Sequence, residues 1–155
     1  MKKILLSTVL LLTSHLATAE VNVDGAYVRA VPPGQMNSAA FMQLTNKENQ
    51  NLNLISATSN AAKNVELHTH TQDNGVMRMR QIKEIKLPAE QQVSLQPGGM
   101  HIMLIGLTRN LTAGENVNLS LTFSDGSQQS LQLPIKTVMP MAGHKMKHKH
   151  GAKVE

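Results

Sequence analysis

Cysteine is absent from all 155 residues. A chain without it cannot be stapled by disulfides, so its fold must rest on an apolar core. It offers no thiolate to a metal, and no cysteine side chain to take a lipid, so no membrane anchor is expected. Aromatic side chains are nearly absent as well. Tryptophan is missing, and Tyr27, Phe41 and Phe123 are the whole set. Single-stranded nucleic acid is held by stacking on aromatic platforms, so a nucleic-acid partner is not expected. No segment of useful length has helical periodicity, and no internal repeat is visible. No nucleophile elbow or paired-acid arrangement stands out, so the chain does not read as an enzyme.

The amino terminus is patterned for export. Met1-Lys2-Lys3 is followed by an apolar run from Ile4 to Leu12, broken only by Ser7 and Thr8, and then by Ala17-Thr18-Ala19. That is the layout of a signal peptide with cleavage after Ala19. The run is too short for a permanent membrane span. Residues 1–19 are therefore set apart from the fold. Losing Lys2 and Lys3 takes 15 basic residues to 13 against 10 acidic ones, a net charge of +3. That excess sits mostly in the carboxy-terminal tail and says little about partners.

What is present is a β pattern. Strands are expected at 21–23 and 26–30, 39–45, 52–58, 65–70, 76–82, 91–95, 100–107, 116–123 and 128–135. Between them lie turn signals: Pro32-Pro33-Gly34, Asn74-Gly75, Pro97-Gly98-Gly99 and Ser124-Asp125-Gly126-Ser127. Residues 59–64 read as a connection, and Leu87-Pro88 as the start of a loop. Short strands at regular spacing argue for one β-sandwich or barrel over residues 20–138.

Methionine and histidine are the unusual abundance, ten and seven respectively. In His101-Ile102-Met103 the two donors are two residues apart, so on a strand they share a face. Ile102 and Leu104 point the other way, and their burial would fix the register that presents the donors. In the hairpin around Asn74-Gly75, His68 and His70 share one face, as do Met77 and Met79. A four-residue loop would set His68 opposite Met79 and His70 opposite Met77. A two-residue turn would set His70 opposite Met79, with His68 one diagonal away. Periodicity leaves both registers open. Either one brings imidazole beside thioether, a combination that favours copper, and Cu(I) in particular. Zinc would call for cysteine, histidine or carboxylate. A lone methionine is ordinarily core filler, and Met36, Met42 and Met100 are read that way.

His68, Met79, His101 and Met103 fit the spacing histidine, ten residues, methionine, twenty-one residues, His-x-Met. In this the chain resembles the periplasmic copper chaperones associated with the CuA centre of cytochrome c oxidase. Further stretches carry the resemblance: Glu66-Leu67-His68, Gly75-Val76-Met77, Met79-Arg80, Pro97 to Leu104, and Tyr27 to Gly34. Tyr27 stands where that family often has tryptophan. The resemblance implies an all-β, cupredoxin-like Greek-key sandwich. It implies one Cu(I) bound by His68, Met79, His101 and Met103 near the surface of a periplasmic protein. It also implies delivery toward cytochrome c oxidase subunit II, with or without a Sco-type copper protein. The alternative is a periplasmic copper-sequestering or resistance protein with no dedicated acceptor. His70 and Met77 lie outside the motif. They read as surface residues, as supports for the ligands, or as ligands that exchange during transfer.

From Met139 onward the composition becomes low-complexity and rich in Met, His and Lys, which predicts disorder without metal. His144, Met146, His148 and His150, with Met139 and Met141, form a candidate second copper site over residues 139–155. Histidine suits Cu(II) and methionine suits Cu(I), so this tail could take either.

Overall fold

The computed structural model describes residues 21–138. Ten strands run through them: β1 (Val21–Arg29), β2 (Asn37–Asn46), β3 (Leu52–Ser59), β4 (Ala62–Asp73), β5 (Val76–Gln81), β6 (Ile85–Leu87), β7 (Gln92–Leu95), β8 (His101–Leu107), β9 (Asn116–Phe123) and β10 (Gln128–Lys136). No helix occurs among the described residues. The strand order is β5-β4-β8-β2-β1-β10-β9-β3-β6, with β7 also pairing β2. All pairs are antiparallel except β1 with β10.

Alternation explains which face of each strand turns inward. In β9, Val117, Leu119, Leu121 and Phe123 are buried while Asn116 and Asn118 are exposed. In β8, Ile102 and Leu104 are fully buried, and in β4 Leu67 joins them. Inward residues from both halves of the strand order meet in one contiguous core. The halves are joined where Val28 and Arg29 pair with Ile135 and Lys136. This is the packing expected of a sandwich.

The structure departs from the sequence reading at several points, among them Ala62 to Asn64, which belong to β4 and not to a connection. The two pieces expected at 21–23 and 26–30 are one strand, whose register shifts between Asp24 and Tyr27. Gly25 sits there with φ of +59°, where a side chain would be strained. Leu87, which reads as the start of a loop, instead ends strand β6. Its three residues alternate buried, exposed, buried, and they pair with β3. Met36, read as core filler, is instead exposed. Met42 is buried as expected, and Met100 packs against the core.

One edge of β2 positions the site. Its first half, Asn37 to Ala40, pairs β8, and its second half, Met42 to Thr45, pairs β7. The connection from β7 to β8 must therefore turn over within a few residues. Pro97-Gly98-Gly99 does so, with Gly98 at φ +80°. The turn is closed by Gly99 N–H donating to Gln96 O at 3.0 Å and Gln96 N–H to Met100 O at 2.8 Å.

Candidate metal centre

The site is built by three adjacent strands. β4 and β8 pair with His68 opposite His101, Glu66 opposite Met103 and Leu67 opposite Ile102. Directly opposed residues point to the same side of a sheet. Leu67 and Ile102 go to the core, so His68, Glu66, His101 and Met103 share the outer face. β5 then adds Met79, opposite His70. The hairpin therefore adopts the two-residue turn. Asn74 and Gly75 both have positive φ, +50° and +81°, the combination a type I′ turn needs. His68 lies opposite Gln81, one diagonal from Met79.

The outer face is less open than alternation suggests. His101 is only 2% exposed. Three rings surround its imidazole, with centroids at 6.2 Å for Phe41, 5.9 Å for His68 and 5.1 Å for His70. Tyr27 continues the row, 5.4 Å from Phe41. Beside these rings opens a cleft of about 430 Å³, whose lining includes His70, Met79, His101 and Met103 together with Arg29 and Pro32. Of the four motif residues, Met79, His101 and Met103 line this cleft, and His68 does not. Met79 remains 45% exposed and Met77, on the same face nearer the turn, 55%. Neither has a core to fill.

Hydrogen bonds fix which ring nitrogens are free. His101 Nδ1 lies 3.0 Å from Gly99 O. A carbonyl only accepts, so Nδ1 carries the proton and Nε2 keeps its lone pair. His68 has the opposite arrangement. Its Nε2 lies 2.8 Å from the Glu66 carboxylate, so Nδ1 keeps the lone pair. That Nδ1 is buried and has no partner. A buried nitrogen without a hydrogen bond is costly, and a metal ion is one partner that would satisfy it. Carboxylate and carbonyl partners of this kind orient metal-binding imidazoles in general. Burial lowers the pKa of His101, and the nearby His70 and His68 imidazoles lower it further. The Gly99 carbonyl opposes them. The net effect favours the neutral ring, the form that binds metal.

Among the described residues, no three histidine, aspartate or glutamate side chains are arranged to hold a metal ion. A metal at this face would have to recruit methionine. The available donors are neutral nitrogens and thioethers, which suit a soft monovalent ion. Sequence reasoning named the four motif residues but missed the roles of Glu66, Gly99 and Phe41. Glu66 was legible, being two residues before His68 and hence on its face. The Gly99 carbonyl gave no signal, because its role depends on the turn's conformation. His144, Met146, His148 and His150 lie outside the described residues, as do residues 1–19.

The family model described as "Putative lipoprotein LpqE-like" matches residues 21–135. A protein of Leifsonia xyli subsp. xyli (strain CTCB07), also described as a lipoprotein, is 38% identical over 117 residues, spanning 75% of this chain and 69% of that one. Among solved structures, Cu(I)-bound DR1885 from Deinococcus radiodurans is 35% identical with a TM-score of 0.62, covering 80% of this chain and 81% of that one. The copper-bound PCuAC domain from PmoF2 superimposes with a TM-score of 0.67 over 79% of this chain and 97% of that domain. At 19% identity it speaks to the fold alone.

Proposed function

The chain belongs to the LpqE-like family, and from that membership and the donors gathered over β4, β5 and β8 we propose that it is a PCuAC-type copper-binding protein carrying Cu(I). The observation that carries this reading is the shared outer face of His68, His101, Met103 and Met79, set by the pairings of β4 with β8 and β5. Likeness to a relative solved with Cu(I) supports it. His68 would bind through Nδ1 and His101 through Nε2, with the two thioethers completing the set. No donor has to lose a proton when the metal arrives. In this reading the protein is exported, loses residues 1–19, and hands Cu(I) toward the CuA centre of cytochrome c oxidase, directly or with a Sco-type partner. It is a carrier and catalyses no bond-making step. Met79 stands exposed at the cleft, where an acceptor's ligands could replace it one at a time.

The test is competitive Cu(I) titration of the chain from Glu20, with and without residues 139–155. One tight equivalent should survive removal of that segment. His101→Ala and Met103→Ala should each weaken it by roughly 100-fold, at or beyond the upper end of what losing a ligand's supporting partner costs. Binding that disappears with residues 139–155 would instead favour sequestration by the His- and Met-rich segment, His144, Met146, His148 and His150 included.

A further inference from the structure

His70 falls outside the motif spacing, yet its ring is nearer His101 than that of His68, 5.1 Å against 5.9 Å. It faces Met79 directly across the β4–β5 pair. It lines the same cleft as Met79, His101 and Met103, which His68 does not. Its Nδ1 lies 3.4 Å from Gly99 O, the carbonyl that also holds His101 Nδ1. One carbonyl thus orients two imidazoles. By the same acceptor argument, each keeps its proton on Nδ1 and leaves Nε2 as a donor. His70 N–H also donates to Gly99 O, at 3.3 Å, which ties this part of β4 to the turn before β8. Two similarly prepared nitrogens therefore stand with two thioethers around one cleft. His68 is not among the residues lining the cleft, and its Nε2 is occupied by Glu66.

We propose that His70 is a further copper ligand, which exchanges with His68 on the bound ion. This rests on the Cu(I) reading above. In the inner set, His68 Nδ1, His101 Nε2, Met79 and Met103 hold the ion. In the outer set, His70 Nε2 takes the place of His68 Nδ1. Both sets contain two neutral nitrogens and two thioethers. The exchange therefore moves no proton or electron and leaves the charge unchanged. It brings the ion into the cleft, where Met79 and, beyond it, Met77 are exposed. His68 secures the resting ion, and His70 presents it to an acceptor.

The direct test uses the unaltered full chain. Long-range proton–nitrogen spectra of the imidazoles are recorded as one equivalent of Cu(I) is added. The expected result is that His101 Nε2 shifts fully, and that His68 Nδ1 and His70 Nε2 both shift with it as the ion exchanges between them. The kinetic test follows release of Cu(I) from the loaded chain to bathocuproine disulfonate. His70→Ala should keep affinity within about 10-fold and slow release on the order of 10-fold, while His68→Ala should weaken affinity and leave release fast. The double variant should lose the site. An unshifted His70 nitrogen, or an unchanged release rate in His70→Ala, overturns the proposal while leaving the motif site standing. A wild-type chain that takes up no Cu(I) overturns the reading beneath it as well.

Discussion

His101 illustrates how one side chain is made ready by its surroundings. Its burial and its two imidazole neighbours lower its pKa, against the pull of the Gly99 carbonyl. In the unfolded chain the same ring titrates at about pH 6.5, as a free imidazole does. Between the lowered folded value and the unfolded one, the unfolded state binds more protons. Stability therefore rises with pH across that window and falls on acidification, until His101 is protonated in the folded state too. The metal-free protein should accordingly lose thermal stability as the buffer is taken from neutral pH to below the free-imidazole value. His101→Gln should flatten that slope, as read by melting curves across the range. Equal slopes in wild type and variant would remove His101 as the cause. Glu66, His68 and His70 face the ring from β4 and are present in both proteins.

At the scale of the element, the β4–β5 hairpin sets the register of the donors. Asn74 and Gly75 both occupy the left-handed region. A Cβ built on Gly75 meets nothing within 4 Å, so Gly75→Ala should cost backbone strain alone, roughly 1–2 kcal/mol. The hairpin should fray and Cu(I) affinity should fall, while the remaining strands keep their circular dichroism. Unchanged affinity would show that the turn does not hold Met79 in place. This hairpin also marks the limit of what was legible in the sequence. Alternation alone separates His101 and Met103 from Ile102 and Leu104, and places Glu66, His68 and His70 on one side of Leu67. It cannot choose between a two-residue and a four-residue loop, because Asn-Gly fits within either. Nor can it bring His68 to His101, since that pairing depends on how distant strands are ordered in the sheet. The residue spacing supplied by family resemblance bridged that gap for the four motif residues, but it had no place for His70. Three-residue β6 escaped notice because two buried positions are too few to establish a period.

The molecule as a whole depends on a narrow seam. β1 and β10 share two paired positions, and Val28 and Ile135 at that seam are both buried. Ile135→Ala should cost about 2–5 kcal/mol, measured by denaturant unfolding. Because it acts on the seam and not on the donors, the surviving folded protein should bind Cu(I) normally. A loss of binding out of proportion to the loss of stability would mean that the two halves are coupled more tightly than the seam suggests. Next to Ile135 on β10, Lys136 places its ammonium 5.6 Å from the centre of the Tyr27 ring. Tyr27 is the chain's sole tyrosine, and there is no tryptophan. Excited at wavelengths that phenylalanine does not absorb, the protein's ultraviolet emission therefore has one source, two ring contacts away from His101. Filling the cleft should change that emission, and Phe41→Leu, which interrupts the row of rings, should mute the response. The protein carries its own optical gauge of occupancy, readable without any attached dye.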